Sequence, residues 1–307
     1  MSTYFGGGEL PSFTRFNSVE VTTAGTYQSP ARCGIHTKKG GWIVAKHTAL
    51  NELWFHFDMK VGLVTTTLTP IIVKNGAGIV LFSVGSNGDI KVGASTIGNV
   101  NFFINGLYTV DIHLRSGSNG LVEIYIDKEV VFSATGNFTL TGMASLTLSP
   151  IGTDSTNDTG TVWSQVIVAD DVTIGYKLAT LAITSQGDQA QWTGSYDRVN
   201  EIALDTDTYI NAPTAGLVST YVVSDLDPQY TNIKAVIVSA LGRYTEIGPK
   251  QIDAVVRVSG VNYTSTMTPL GTGYVPSQGI WHVNPANLSP WTINNVNDLQ
   301  LGIRSKN

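Results

Sequence analysis

Three groups of side chains in this sequence have the types and spacing to do chemistry. Asp170 and Asp171 end the stretch TVWSQVIVADD and are neighbouring carboxylates, the raw material of acid–base work. Consecutive residues of an extended chain point to opposite faces, however, so the pair is poorly placed to share a proton or flank a bond. Asp is also poor inside a strand and good in a turn. The pair is therefore expected to mark the place where a strand runs out.

Glu123, Asp127 and Glu129 stand at positions i, i+4 and i+6, which is one face of a strand, and carboxylates so aligned are the equipment of a hydrolase. The spacing does not fit the E-x-D-x-x-E pattern, and Asp127 to Glu129 read as a hairpin turn. Asp111 and His113 also share a face, but no G-x-S-x-G supplies a nucleophile, so they are expected to form a polar ladder on a wet surface. His36, His47 and His56 are scattered, with no H-x-x-x-H and no cysteine partner, so the sequence offers no zinc site. No G-x-x-x-x-G-K-[ST] occurs. The expected answer is a protein that is not an enzyme and carries no cofactor.

The elements that must position these residues follow from composition and periodicity. The chain has 307 residues, of which 42% are hydrophobic and 13% charged, with 32 glycines. The charged share is about half the usual ~25%. That suits an all-β protein rich in tight turns, or one whose surface is covered by partners. The net charge of −5 and the lack of any basic cluster beyond Lys38-Lys39 argue against a nucleic-acid partner. A single cysteine, Cys33, precludes an internal disulfide. The opening MSTYFGGGELPSF lacks the charged and apolar regions of a signal peptide, and no apolar run approaches the ~20 residues of a membrane span. The chain is expected to be made in a cytosol and to be soluble there, with no membrane partner.

Residues 1–11 are Gly-rich and weakly patterned, and read as an N-terminal arm that orders against a neighbour. Period-2 segments then recur: LWFHFDM at 53–59, IVLFSV at 79–84, LYTVDIHL at 107–114, LVEIYID at 121–127, EVVFS at 129–133 and ASLTLS at 144–149. Separated by Gly/Asn/Ser turns, they describe an antiparallel sandwich with one wet face per sheet. In TVWSQVIVA apolar groups fall on both parities, which suits a strand buried on both faces. The register changes near Gly175. YKLATLAIT, 176–184, is expected to start new strands. VSTYVVS, IKAVIVSA and IDAVVRVSG continue them, with IKAVIVSA (233–240) expected to be a central strand. Near the end, Thr292 is expected to cap a short helix carrying Val296 and Leu299, closed by Gly302. The expected fold is all-β: a jelly roll at 12–175 and a smaller immunoglobulin- or fibronectin-like β-sandwich at 176–307 with a short terminal helix.

Two resemblances support this layout. The segment GLYTVDIHLRSGSNGLVEIYIDKEVVFSATG, 106–136, resembles the middle of a concanavalin-A-like or laminin-G-like jelly roll, over about residues 15–172, with Asp127-Lys128 in place of the usual Asp-Gly turn. The segments SQVIVADD, KLATL, QWTGSYDRVNE, INAPTAG and NPANLSPWTINNVNDLQLGIRSK, within about 160–307, resemble a recurrent family of bacteriophage virion proteins. Its motifs set packing and turns and bring no catalytic residue. The resemblance implies a non-enzymatic structural protein of the virion, tail-associated or decorating the capsid. Its partners would be other phage structural proteins and copies of itself. Laminin-G-like domains often hold calcium at loop rims, and Asp154 and Asp158 offer hard oxygens for it here. The rival reading is a host-glycan adhesin of the same particle, with Trp42, Trp54 or Tyr108 stacking on a sugar.

Overall fold

Alternation of apolar and polar side chains dictates the architecture. The computed structural model describes residues 2–16, 19–22, 31, 33–38, 41–61, 69–102, 106–150, 160–202, 206–245 and 247–307. Leu53, Phe55, Phe57 and Met59 of one strand and Val110, Ile112 and Leu114 of its neighbour are fully buried. Each such side chain contributes roughly 1.5–3 kcal/mol, and together they fix which way the sheet faces. The chain is all-β and divides into two units, Thr3–Ala179 and Thr180–Asn307: a larger two-sheet β-sandwich and then a smaller β-sandwich.

In the first unit two antiparallel sheets face each other. One runs in the order Glu129–Phe138, Gly117–Ile126, Leu107–Arg115, Glu52–Lys60, Thr161–Ala169, Gly34–Thr37, Val19–Thr22. The other runs Ser95–Asn99, Asp89–Val92, Val80–Val84, Ile71–Asn75, Met143–Leu148, Trp42–Leu50, Thr14–Phe16. Ile43, Ile71, Val73, Phe82 and Leu146 of the second sheet are fully buried.

The N-terminal residues are not an arm awaiting a neighbour. Thr3–Gly7 is a strand paired antiparallel with Thr161–Ala169, and Phe5 and Leu10 are buried. The glycines permit this. A Cβ on Gly7 would lie 2.4 Å from the Phe13 ring, so only a residue without a side chain can pass beneath it.

The strand Thr161–Ala169 is buried along its whole length, as its mixed parity predicts. Its register shifts between Ser164 and Ile167, and Gln165 sits in the left-handed region at φ 52. This bulge re-aims one side chain to the outer face of the sheet. Under the segment that follows, that outer face is not the wet surface expected: His56, Asp58 and Asp111 are buried there. Past the strand, residues 170–179 form no strand and bond back to the sheet as a strap. The next strand begins only at Ile183.

The second unit has a five-stranded sheet, Ile183–Ala190, Val218–Val223, Gln300–Lys306, Gln251–Val258, Val261–Thr266, and a ribbon of Val236–Gly242 with Val275–Trp281. The ribbon packs onto the sheet so closely that a Cβ on Gly279 would lie 2.4 Å from that of Ala254. IKAVIVSA is thus half of a two-stranded ribbon and not a central strand. Val236 and Val238 are buried while Ile237 is half-exposed, because only one face meets the sheet.

The aromatic and glycine motifs of this unit are structural. Trp192 Nε1 donates to the Leu217 carbonyl (3.0 Å), and Gly194 turns the chain at φ 105. Trp291 is buried and donates to the Trp281 carbonyl (2.9 Å). Thr292 caps the helix Ile293–Asn297 in a capping box with Asn295, and Val296 and Leu299 are buried. Gly302 does not close that helix. It lies within Gln300–Lys306, where a Cβ would stand 2.1 Å from the Ser219 carbonyl oxygen.

Candidate functional site

The sequence-predicted groups do not assemble into one site. Asp170 and Asp171 are exposed at the end of their strand. Asp170 accepts a hydrogen bond from the Tyr4 hydroxyl (3.1 Å), and Asp171 from the Val172 amide (2.8 Å). Asp127 and Lys128 form a two-residue hairpin turn at φ 51 and φ 76, and the Asp127 carboxylate accepts from the Thr109 amide (2.9 Å). Glu129 is exposed where the next strand begins. Only Glu123 reaches the sheet's outer face. Trp42 lies in the other sheet. Tyr108 has the core-facing parity of Val110, its ring 6.0 Å from that of Phe102. Asp154 and Asp158 lie outside the described residues. Among the described residues no group of three or more His, Cys, Asp or Glu side chains is arranged to hold a metal.

The expected surface ladder of Asp111 and His113 instead has a buried end and an open end. Register places His56 opposite Asp111, Asp58 opposite Thr109 and Trp54 opposite His113. His56, Asp58 and Asp111 are wholly buried on the outer face, because the strap lies over them. The Asp111 carboxylate bonds the His56 ring at Nδ1 (2.9 Å) and accepts from the Thr173 hydroxyl of the strap (2.6 Å). Asp58 accepts from Thr109 (2.7 Å) and from the Gln165 amide, and Lys177 of the strap stands 3.7 Å away. Gln165, aimed by its bulge, also accepts from the Leu178 amide (3.2 Å). Asp58 is bonded on both oxygens, as a buried carboxylate requires, whereas Asp111 Oδ2 and His56 Nε2 are buried with no hydrogen-bond partner among the described residues. The Thr173 hydroxyl donates to the carboxylate and not to the imidazole, so the trio is a clamp and not a nucleophile–base–acid relay.

Beyond the strap the row opens to solvent. Glu52 Oε1 meets His113 Nε2 at 2.9 Å, and His113 Nδ1 meets Glu123 Oε2 at 3.3 Å. Glu123 also accepts from the Tyr125 hydroxyl (3.1 Å) and the Ser133 hydroxyl (3.4 Å). Arg115 flanks Glu52 at 3.9 Å. Trp54 stacks on the His113 ring, with centroids 4.3 Å apart and planes within 10°. Its other neighbour is the half-exposed Tyr125, at 5.7 Å. Partial burial, then the Glu123 carboxylate, push the Tyr125 phenol up, so it stays a neutral donor and acceptor.

The result is a strip of fixed carboxylates, imidazole, phenol and hydroxyl groups beside an aromatic ring backed by Trp54. Such a strip can accept and donate hydrogen bonds to hydroxyl-rich ligands. An imidazole fills the space between Glu52 and Glu123, where a paired-carboxylate hydrolase needs the scissile bond or its water. The sequence disclosed Asp111, His113, Glu123, His56 and Trp54 singly but not their pairing, and it missed Glu52, Asp58, Tyr125 and Thr173. Glu52, Trp54 and Tyr125 alternate outward on their strands, and that was the available signal.

No model of a known protein family matches the sequence, and no curated protein does. Among solved structures, the globular domain of Trypanosoma cruzi calreticulin aligns at 10% identity and TM-score 0.40, covering 56% of this chain and 90% of that one. Cip1, a cellulose-induced protein, aligns at 10% identity and TM-score 0.41, covering 52% and 92%. The endo-β-1,4-glucuronan lyase of the fungus Trichoderma reesei aligns at 9% identity and TM-score 0.38, covering 54% and 90%. None of these bears on what this chain binds.

Proposed function

We propose that this chain is a non-enzymatic glycan-binding protein of a bacteriophage particle. The observation that carries the binding reading is the open row on the jelly roll: the Tyr125 ring beside Trp54, with Glu52, His113, Glu123 and Ser133 locked in hydrogen-bonding order across four neighbouring strands. A sugar presents an apolar face and a rim of hydroxyls. An aromatic ring bordered by pre-fixed carboxylates complements both, and pre-fixing lowers the ordering cost of binding. The placement on a particle is supported by the sequence resemblance of the second unit, where Trp192, Gly194, Trp291 and Gly302 hold turns and strand contacts and leave surfaces to neighbours. In that setting the chain docks on tail or capsid proteins and copies of itself, and presents the row outward.

A glycan array probed with the wild-type chain and with Tyr125→Ala and Glu123→Gln variants tests the binding. The expected result is a restricted set of glycans that both variants lose; an array without hits defeats it. Mass spectrometry of purified virions tests the particle assignment, and absence of the chain from the particle defeats that part alone. Polysaccharide cleavage that depends on Glu123 would overturn the non-enzymatic reading.

A further inference from the structure

A second cluster, on the smaller sandwich, has no role in the row above. Ribbon register puts Gly242 opposite Val275, so Arg243 comes next to Tyr274 as the two strands end. The Arg243 guanidinium lies over the Tyr274 ring, 4.9 Å from its centroid. One residue on, the Tyr244 amide bonds the Gly271 carbonyl (2.9 Å), and the Lys250 ammonium stands 5.8 Å from the Tyr244 ring. The Leu270 amide bonds the Lys250 carbonyl (3.0 Å), and the Tyr274 hydroxyl reaches the Thr206 carbonyl (3.5 Å). Arg243, Tyr244, Lys250 and the stretch 270–274 are thereby tied into one patch with two cations and two tyrosines.

The charges here differ from the paired cations of the same unit in resting on aromatic rings. Elsewhere on the same unit Arg257 pairs with Asp188, and Arg304 and Lys306 with Asp253. Arg243 and Lys250 are exposed and, among the described residues, have no carboxylate partner. A cation resting on a ring keeps its N–H groups free for an anion while the ring limits its motion. From this geometry we infer a binding site for carboxylate-bearing polysaccharide. Arg243 and Lys250 hold acid groups along the polymer, and the edges and faces of Tyr244 and Tyr274 carry the sugar rings. Two cations on a chain of net charge −5 are too few for a nucleic-acid backbone, but they match a polymer whose acids are spaced by sugars.

The test uses the full chain, polygalacturonate as the probe, dextran as the neutral control and inorganic polyphosphate as the competing anion, all at low salt so that surface charge is weakly screened. The expected result is binding of polygalacturonate above both comparators. The Arg243→Ala/Lys250→Ala double variant should weaken it about tenfold with an unchanged melting temperature, since two exposed contacts are lost. Tyr125→Ala should leave this binding intact, which separates it from the row on the first unit. No binding, binding indifferent to the double variant, or equal binding of polyphosphate would each overturn the inference.

Discussion

Replacing Asp111 by Ala should remove the centre of the clamp that holds the strap on the first unit's sheet. Asp111 and His56 are wholly buried, and the carboxylate bonds the imidazole at 2.9 Å and the Thr173 hydroxyl at 2.6 Å. Hydrogen bonds to a charged group contribute roughly 1.5–3 kcal/mol each. The variant also leaves two buried polar groups without their acceptor, so the expected loss is about 3–5 kcal/mol. Against a total stability on the order of 5–15 kcal/mol, that is a large fraction. The double replacement Asp111→Leu/His56→Phe removes both members of the pair and should cost clearly less than the two single losses added together. The coupling between contacting residues should be about 1–3 kcal/mol. Hydrogen exchange of the Leu107–Arg115 amides across a urea series measures this on the full chain, with the Gln251–Val258 amides of the second unit as an internal reference. Limited proteolysis should show faster cutting within 171–179 in Asp111→Ala. A loss below about 1 kcal/mol, or an additive double variant with an uncut strap, would refute the clamp.

Other substitutions probe single local causes. Lys128 holds φ 76 in its hairpin turn, which costs an L-residue roughly 1–2 kcal/mol, partly offset in glycine by chain entropy. Lys128→Gly should therefore raise stability by about 0.5–1 kcal/mol in urea unfolding. Gly302→Ala should destabilise the second unit by roughly 3 kcal/mol, because the new methyl would stand 2.1 Å from the Ser219 carbonyl oxygen; thermal unfolding would report it. Burial holds the His47 imidazole below its ordinary range, only partly offset by its bond to the Thr48 carbonyl. The unfolded chain then takes up the proton first, so stability is complete above about pH 6.5 and falls as pH drops through that value. His47→Gln should flatten this acid limb of a stability–pH curve.

What the sequence alone determined is what short stretches of chain can decide. Strands at 53–59, 107–114 and 121–127 were legible because an apolar side chain at every second position can be buried only by pleating. The Thr292 cap was legible because a hydroxyl three residues before an exposed amide acts locally. The strand-end role of Asp170-Asp171 and the turn at Asp127 were legible for the same reason. Tertiary structure decided everything that depends on a distant partner. Parity says that His56, Asp58 and Asp111 leave the core, but not that residues 170–179 return to cover them, and an irregular strap has no period to read. The Gly-rich start became a strand because Thr161–Ala169, some 160 residues away, offers an edge for Thr3–Gly7 to pair with, and Gly7 can pass beneath the Phe13 ring. IKAVIVSA reads the same whether one face or two are covered, and packing covered one. Gly302 looked like a helix stop in sequence, yet the close passage of Ser219 is what demands it. The open row and the tyrosine–cation patch arise where strand register and loop contacts bring together residues that are far apart in sequence.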